Sequence, residues 1–308
     1  MSADTLVSLL LTTMTAATPL LLAALGELVV ERAGVLNLGV EGMMLSGAVL
    51  GFATMTLSGS WTLGLLAAVA AGVALAAVFG FLVLSLMSNQ VATGLALTIF
   101  GTGLSALVGT GFTGHPVPPL PKLPLPGLSA LPLVGRVFEQ DVLVYFALAM
   151  AAGLAWFLRS TRAGLVLRAV GEAHLSAHSI GYPVLRIRFL AILFGGGMAG
   201  LGGAYLSLAY TPMWVENMTA GRGWIALAIV VFAAWRPWRA LGGAYLFGGV
   251  TVLQLYLQGS GLLPVPPQLL SMLPYLGTIL VLTLISSGRF RRRFSPPACL
   301  GKPFRPPA

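Results

Sequence analysis

Between Glu41 and Lys122 the sequence contains 80 consecutive residues without Asp, Glu, Lys or Arg, and between Arg239 and Arg289 it contains another 49. A transmembrane helix needs about 20 apolar residues to cross a hydrocarbon core about 30 Å thick. Each uncharged run is therefore long enough to cross a bilayer more than once. The chain is predicted to be an integral membrane protein.

The composition supports a helical membrane protein. Hydrophobic residues make up 57% of the chain and charged residues 8%, and the mean hydropathy is +0.93. Lipid offers no hydrogen-bond partners to the backbone, and the apolar runs are too continuous for the alternating pattern of a barrel strand, so helices are expected. The predicted fold class is all-α, a polytopic membrane bundle. The net charge of +9 lies mainly at span ends, which favours membrane orientation over nucleic-acid binding.

Breaks in the apolar pattern predict about nine transmembrane helices. They cover residues 5–26, 35–57, 61–87, 91–111, 141–158, 189–210, 223–235, 240–258 and 269–287. Together they form a predicted transmembrane domain over residues 1–288. The segment 223–235 has only 13 uncharged residues, and its length alone would suit a half-helix better than a full crossing.

The basic residues indicate the orientation of the bundle. If 223–235 crosses, Arg32, a charged island at 159–188, the turn at 235–239 and the arginines of 289–293 lie on one side. The positive-inside rule makes this side cytoplasmic, which leaves the N-terminus extracytoplasmic and the C-terminus cytoplasmic. No Lys or Arg precedes Arg32, so the first apolar segment is predicted to be a retained span and not a signal peptide.

Two proline-rich segments lie outside the predicted spans. The segment 112–140 holds seven prolines and is predicted to be an extracytoplasmic loop, either a plain connector or a stiff lid. The basic segment 289–308 is predicted to be a disordered cytoplasmic tail.

Asn37 and Glu41 place an amide and a carboxylate early in the second predicted span. An ionisable residue within a membrane by default faces a bundle interior or a water-filled path. The glycines around them are typical of an unwound helix that lines a cavity. The alternative is that Glu41 lies at the cytoplasmic interface, solvated or paired with Arg32.

Further polar and aromatic residues complete the predicted substrate path. Asn89, Gln90 and Thr93 interrupt the longest uncharged run and could bind a polar solute, although an ordinary turn between helices is the favoured interpretation. Trp214 and Asn217 fall on the extracytoplasmic side, where they would meet a solute-delivering partner or form part of an interfacial belt.

The charged island is predicted to contain a short helix. Glu172 would lie near its start, His174 and His178 would share one face, and Gly181 followed by Pro183 would end it. Two imidazoles without further ligands do not make a structural zinc site, so no metal site is predicted.

Motifs for catalysis are missing from the sequence. It contains no Gly-x-x-x-x-Gly-Lys-Ser/Thr phosphate loop, no Gly-x-Ser-x-Gly elbow and no His-Glu-x-x-His pair. Its single cysteine, Cys299, cannot form a disulfide within one chain. The chain is therefore predicted to move a solute and not to be an enzyme.

Four blocks of the sequence carry a family resemblance. They are ERAGVLNLGVEGMM at 31–44, NQVATGLAL at 89–97, RAVGE at 168–172 with Gly181 beyond it, and GRGWIA at 221–226. These blocks resemble the permease subunits of bacterial ABC importers for nucleosides, within the ribose and branched-chain amino acid permease family. The resemblance extends over about residues 20–259 and implies a multi-pass protein of the bacterial plasma membrane.

The resemblance also implies partners. These are a cytoplasmic ABC ATPase, a second permease copy or paralogue and an extracytoplasmic solute-binding lipoprotein, all working around a bundle set in lipid. ATP would be bound by the ATPase, so the permease itself needs no cofactor. The residues implied in ATPase coupling are Arg162, Arg168, Glu172, Ala173, His174 and Gly181. The importer loop signature has Ala where this chain has His174, and its glycine comes earlier than Gly181.

The Asn-Leu-Gly-Val-Glu-Gly version of the first block resembles the nucleoside branch of the family, which implies import of a nucleoside or a related polar solute. A permease for a simple sugar or a branched-chain amino acid is the alternative. A stand-alone secondary transporter that uses Glu41 as its ion-coupling carboxylate is a third possibility.

Overall fold

The computed structural model describes residues 3–127, 129, 135–260, 266, 268–269, 272–273, 276–277, 279, 283 and 296–305. Within this part of the chain, seven helical segments are long and apolar enough to cross a membrane. These confirm seven of the nine predicted spans and the polytopic all-α class. The predicted span 269–287 falls largely outside the described residues.

Ten α-helices are described, and the longest connection between them is the proline-rich segment between α4 and α5. They are α1 (Ala3–Arg32), α2 (Val40–Ser58), α3 (Trp61–Gly80), α4 (Gln90–Gly109), α5 (Val142–Ser160), α6 (Arg162–Glu172), α7 (His174–Ser179), α8 (Val184–Tyr205), α9 (Arg222–Phe232) and α10 (Pro237–Ser260). π-helical turns extend α3 over Phe81–Ser85 and α8 over Leu206–Tyr210.

The bundle has two chemically different ends. The arginine-rich end is formed by the end of α1, the α6–α7 segment, the start of α8 and the turn before α10. The proline-rich end is formed by the start of α3 and by the described residues between 112 and 140.

Glycines allow the central helices to touch through their backbones. A Cβ added at Gly72 of α3 would overlap the carbonyl of Gly196 in α8, and one added at Gly47 of α2 would overlap the backbone of Gly200. Lipid provides no hydrophobic drive between helices, so such close contacts are a main source of association. Gly242 of α10 differs from these glycines, because an added Cβ there would meet nothing within 4 Å.

α1 is longer and α2 begins later than the sequence predicts. The predicted break at 27–34 is wrong for its first six residues, because Glu27 and Glu31 lie within α1 and are each only 1% exposed. The Asn37 N–H donates a hydrogen bond to Glu27, and the Trp235 indole donates one to Glu31. Because these contacts replace water as hydrogen-bond partners of the carboxylates, α1 can continue through both residues while they are buried. Residues 33–39 are non-helical instead, and Gly34 has a positive φ of 86°.

α9 is a half-helix. Its 11 residues rise about 17 Å, which is roughly half of the hydrocarbon thickness. The N-terminus of α9 lies against Glu41 near the start of α2, whereas the residue that follows its C-terminal turn, Trp235, contacts the end of α1. This length agrees with the half-helix that the 13 uncharged residues of 223–235 favour, whereas the crossing favoured by the distribution of basic residues stays a prediction.

The described part of the proline-rich loop is largely exposed, but several contacts fasten it to the bundle. β1 (Lys122–Pro124) pairs antiparallel with β2 (Glu139–Asp141). The loop backbone donates hydrogen bonds from Val117 to Pro212 and from Leu120 to Leu208, and Trp61 donates from its indole to the Pro118 carbonyl. These contacts fasten the loop across the ends of α3 and α8.

Candidate coupling site and helix-break site

Two non-helical segments meet where α2 and α9 begin. One contains residues 33–39, which connect α1 to α2, and the other contains residues 211–221, which precede α9. Glu41 joins them, and this arrangement is called the helix-break site below. Irregular backbone at membrane depth is tolerated only where other protein groups or water satisfy it.

The Glu41 carboxylate satisfies the N-terminus of α9. Its Oε1 accepts hydrogen bonds from the Thr219 hydroxyl at 2.5 Å and the Gly221 N–H at 2.8 Å, and its Oε2 accepts one from the Gly223 N–H at 2.6 Å. Glu41 is 5% exposed. A carboxylate at a helix N-terminus also interacts favourably with the helix dipole. Glu41 therefore binds the half-helix to α2.

The backbone of the 211–221 segment is unusual. Asn217, Ala220 and Gly221 have positive φ values of 55°, 45° and 80°. Left-handed backbone at a non-glycine residue costs free energy, of the order of 1–3 kcal/mol each, and persists only where surrounding contacts enforce it. Gly223 has no space for a side chain, because an added Cβ would lie 2.6 Å from Glu41 Oε2.

Asn37 and Gln90 hold the other non-helical segment in place. Asn37 is fully buried, its N–H donates to Glu27 Oε1 at 3.1 Å and its Oδ1 accepts from the Gly39 N–H at 2.9 Å. Gln90 Oε1 accepts from the Leu36 N–H at 2.8 Å. The structure thus brings Asn37, Glu41 and Gln90 together around the helix breaks.

The side chains of the other predicted path residues are not among those that hold the helix breaks, although Trp214 and Asn217 belong to the 211–221 segment. Asn89 is exposed and caps α4 by accepting from the Ala92 N–H at 3.0 Å, and Thr93 shares a 2.8 Å hydrogen bond with Ser88. Asn217 is exposed, whereas Trp214 is buried with its ring against Gly109. A role for these side chains in solute passage stays a prediction.

The charged island folds into two short helices at the arginine-rich end. Ala173 has φ −149° and separates α6 from α7, so Glu172 is the last residue of α6. The prediction that Glu172 starts the histidine-bearing helix is wrong, because the chain turns between them. Arg162, Glu172, Ala173 and Gly181 are exposed, whereas Arg168 is half-buried and His174 is buried. Gly181 follows α7 with φ 93°, which confirms the predicted end of that helix.

Arg188 connects these short helices to the spans. It is fully buried near the start of α8. Its guanidinium donates from Nε to the Ala33 carbonyl at 3.1 Å and from Nη1 to the Lys302 carbonyl at 3.0 Å, and its Nη2 lies 3.0 Å from His174 Nδ1. One side chain therefore joins the α1–α2 connection, α7 and the C-terminal segment.

The C-terminal segment 296–305 completes this surface. The Cys299 N–H donates to the Gly171 carbonyl at 2.9 Å, and the Gly301 N–H donates to the Gly34 carbonyl at 3.2 Å. Phe304 is 4% exposed, with its ring centroid 5.2 Å from His174 and 5.4 Å from His178. For residues 296–305 the prediction of disorder is wrong, because these long-range contacts order a sequence that has no helical or strand pattern of its own. We call α6, α7 and residues 296–305 the coupling platform.

The surroundings of His174 in the coupling platform favour its neutral form. Burial, followed by the nearby positive charges of Arg188 and Lys302, lowers the pKa of His174 below its usual value. The neutral ring can accept a hydrogen bond from Arg188, whereas a protonated ring would present a third positive charge. Within the described residues, no group of three or more His, Cys, Asp and Glu side chains is arranged to hold a metal ion.

A polar cavity of about 680 Å³ lies at the proline-rich end. Its lining includes Lys122, Arg136, Glu139, Asp141 and Tyr205. Asp141 caps α5 by accepting from the Leu143 and Val144 N–H groups, and its Oδ2 accepts from the Tyr205 hydroxyl at 3.0 Å. Burial raises the pKa of Asp141, and these hydrogen bonds act in the opposite direction.

Sequence reasoning did not single out several residues that organise these sites. Arg188, Glu27 and Glu31 act through partners between 10 and 204 residues away in the sequence. The available signal was that each is a charged residue at the edge of an apolar span, where an unpaired charge is costly. The cavity at the proline-rich end was signalled only by the few charges in a loop that is otherwise proline-rich and apolar.

Residues 9–282 match the family described as the permease component of the branched-chain amino acid transport system. The chain belongs to this family. It is therefore a multi-pass membrane permease and not an enzyme. ABC permeases of this kind function with an ATPase and a substrate-binding partner.

Three relatives cover nearly the whole chain. A Haloferax volcanii protein provisionally named a glucose ABC transporter permease is 47% identical over 297 residues, which covers 89% of this chain and 90% of the relative. The guanosine ABC transporter permease of Bacillus subtilis is 34% identical over 288 residues, with 88% and 89% covered. The nucleoside ABC transporter permease of Lactococcus lactis is 31% identical over 280 residues, with 87% and 88% covered.

Proposed function

We propose that this permease carries a nucleoside into the cytoplasm as part of an ABC importer. In this proposal it pairs with a second permease subunit, a cytoplasmic ATPase drives it, and an extracytoplasmic lipoprotein delivers the solute. The arginine-rich end faces the cytoplasm, in agreement with the positive-inside rule. The observation that carries the proposal is the coupling platform, a folded surface at that end which is tied directly to the spans.

The contacts of Arg188 support a coupling role for the platform. A force applied to α7 reaches the α1–α2 connection through one buried guanidinium, because Arg188 contacts both His174 and Ala33. The α1–α2 connection is itself part of the helix-break site, where the Asn37 N–H donates to Glu27. Arg162, Glu172, Ala173 and Gly181 supply the exposed part of the docking surface, and Arg168 and His174 support it from within.

The environment of Glu41 favours an ABC mechanism over an ion-driven one. A carboxylate that couples transport to an ion gradient must release its ligand and reach water during the cycle. Glu41 is 5% exposed, and both of its oxygens accept hydrogen bonds from the start of α9. We assign Asn37, Glu41 and Gln90 to holding the helix breaks that border the solute path.

A nucleoside is the proposed solute because the guanosine and nucleoside permeases match nearly the full chain and the sequence around Glu41 resembles the nucleoside branch. A simple sugar is the second candidate, because the Haloferax volcanii relative is named for glucose and has the higher identity of 47%. Both solutes present several hydroxyl groups that need hydrogen-bond partners.

The test is transport by the assembled complex. The affinity-tagged chain would be purified from its own host with its bound subunits and reconstituted into proteoliposomes in which the ATPase side has access to ATP. Labelled guanosine, adenosine, uridine, ribose and glucose would be compared, with and without ATP. ATP-dependent uptake of nucleosides is expected, with little uptake of the sugars.

Two controls separate the alternatives. Uptake of glucose without nucleoside uptake would replace the proposed solute and leave the ABC mechanism standing. The chain reconstituted alone should not move any of these solutes under a proton or sodium gradient, and uptake in that arm would refute the ABC assignment.

A further inference from the structure

A basic cavity of about 470 Å³ lies at the arginine-rich end, between α5, α6 and the turn that joins α9 to α10. Four arginines line it, together with two tryptophans. They are Arg32, Arg159, Arg168, Arg236, Trp235 and Trp238. This basic cavity is separate from the helix-break site.

The cavity collects positive charge without matching negative charge. Arg32, Arg168 and Arg236 lie close enough to interact electrostatically, and Glu172 is the carboxylate that acts on Arg32. Glu172 Oε2 also accepts a hydrogen bond from the Ala298 N–H, and this one carboxylate does not balance the charge of four arginines. Within the described part of the chain, the guanidinium groups of Arg159 and Arg236 have no hydrogen-bond or salt-bridge partner.

Arg168 adds a second observation that points to a ligand. Its Nε is buried and has no hydrogen-bond partner among the described residues. A buried donor without an acceptor is costly, and native proteins normally satisfy such groups with protein, water or a bound ion. An anion in the basic cavity would supply both the acceptor and the missing negative charge.

The backbone around the cavity is held in an uncommon shape. Ala234 and Trp235 have positive φ values of 49° and 54°. Arg32 fixes this turn by donating from Nε and Nη2 to the Trp235 carbonyl at 3.1 and 3.0 Å, and the Trp235 indole donates to Glu31 Oε2 at 2.5 Å. The turn therefore presents Arg236 and Trp238 at one rim of the cavity in a fixed position.

The basic cavity lies at the level of the span ends, and this position favours one source of the anion. It lies at the ends of two spans, α5 and α10, and Trp156 and Trp238 are 65% and 59% exposed there. Tryptophan is enriched at the level of the lipid headgroups, and basic pockets between spans bind anionic headgroups. A phosphate at this depth is most readily supplied by a lipid.

We propose that the basic cavity binds the phosphate headgroup of an anionic phospholipid such as phosphatidylglycerol. Arg159, Arg168 and Arg236 contact the phosphate, and Trp238 lies beside the upper part of the acyl chains. The site goes beyond the proposed transport function, because its ligand is a lipid and not the solute, and it shares Arg168 with the coupling platform.

The experiment uses the purified full-length chain in a neutral detergent, studied by native mass spectrometry. Phosphatidylglycerol and phosphatidylcholine with identical acyl chains are titrated separately, and inorganic phosphate is titrated in a third arm. The double variant Arg159→Gln, Arg236→Gln removes two exposed charges from the cavity. The double variant Arg162→Gln, Arg186→Gln removes two exposed charges outside it and is the matched control.

The unmodified chain is expected to retain phosphatidylglycerol in preference to phosphatidylcholine. Each arginine near a headgroup is expected to contribute about fivefold to the affinity for phosphatidylglycerol. The cavity variant lacks two arginines and should therefore bind this lipid about 25-fold more weakly than the unmodified chain. The control variant should keep most of the affinity. Arg168→Gln, added to the cavity variant, should lower the affinity further.

Four results would overturn the proposal. Equal retention of the two lipids would remove the preference for an anionic headgroup, and an equal loss in the control variant would make the effect one of general charge. Competition by inorganic phosphate at concentrations similar to those of the lipid would identify a site for a free anion. Displacement of the lipid by the ATPase subunit, with loss of ATPase binding in the cavity variant, would assign the basic cavity to protein docking instead.

Discussion

The carboxylate of Glu41 accepts a 2.6 Å hydrogen bond from the backbone N–H of Gly223, 182 residues later in the sequence. This contact places the start of the half-helix α9 against the start of α2. The two glycines at 221 and 223 and the carboxylate at 41 therefore form one structural unit, although they belong to separate sequence blocks.

Glu41→Gln tests how much the hydrogen bonds between Glu41 and the start of α9 contribute to the stability of the chain. The glutamine has one acceptor oxygen for three donors, so at least one N–H or hydroxyl group loses its acceptor, and the variant is expected to lose about 1–3 kcal/mol of stability. Thermal unfolding in detergent measures the loss as a lower Tm. Glu216→Gln removes the same charge from an exposed residue and should leave Tm unchanged. Equal Tm values for the two variants would contradict the anchoring role of Glu41.

Gly101 and Gly103 of α4 provide a matched pair for helix packing. A Cβ at Gly101 would lie 2.5 Å from Gly42 Cα, whereas a Cβ at Gly103 would meet nothing within 4 Å. Gly101→Ala should separate α4 from α2 and destabilise the bundle by about 1–3 kcal/mol. Gly103→Ala should be neutral or slightly stabilising, because Ala is the better helix former. A comparison of the two Tm values checks the prediction, and equal effects would show that α4 does not pack on α2 through Gly101.

Arg188→Lys tests whether one guanidinium holds the coupling platform together. Lysine is not expected to reach the Ala33 carbonyl, the Lys302 carbonyl and His174 at the same time, so the segment 296–305 should detach more often. Cys299 is the single cysteine and is 8% exposed, which makes its rate of maleimide labelling a direct reporter of detachment. A hydrogen bond to a charged group contributes about 1.5–3 kcal/mol, so labelling should accelerate at least tenfold. Arg186→Lys, an exposed change on the same helix, should label at the rate of the unmodified chain.

The platform should also respond to pH through His174. The pKa of His174 is lowered in the folded chain, so the unfolded chain binds a proton more tightly, and protonation works against the folded arrangement. Docking of 296–305 is expected to be complete above pH about 6.5 and to weaken as the pH falls below it. Hydrogen exchange of the 299–304 amides, corrected for intrinsic rates, measures this. His174→Gln keeps an acceptor without a titrating group and should remove the pH dependence, whereas an unchanged pH profile in that variant would assign the effect to another group.

The spans could be predicted because their determinant is local. A run such as 61–87 is apolar enough to identify a helix without any knowledge of its neighbours, and α3 with its π-helical extension occupies 61–85. Hydropathy does not predict a helix end correctly where a buried charged side chain is hydrogen-bonded by a residue far away in the sequence. The charges of Glu27 and Glu31 predict the end of a span. α1 nevertheless continues through both residues, because Asn37 and Trp235 donate hydrogen bonds to their carboxylates.

The sequence indicates two residues of the candidate site, Asn37 and Glu41, but it does not indicate which distant residues they contact. Asn37 and Glu41 were identified as unusual because polar groups in a membrane are costly, and the structure does bring them to a helix break. Their partners could not be read from the sequence, since nothing local links Glu41 to Thr219. In the same way, the segment around Phe304 has the composition of a disordered tail, and only its contacts with His174 and His178 reveal that it folds.

The docked segment 296–305 follows every predicted span in the sequence, and it supplies the partners that close over α6 and α7. During synthesis these two helices emerge long before Phe304 exists. If the coupling platform docks the ATPase as proposed, a chain that has inserted its spans but has not yet placed Phe304 beside the histidines would present an unfinished surface to that subunit. Assembly with the motor would then be delayed until the permease is complete, so the order of the sequence itself would guard against pairing with partial chains.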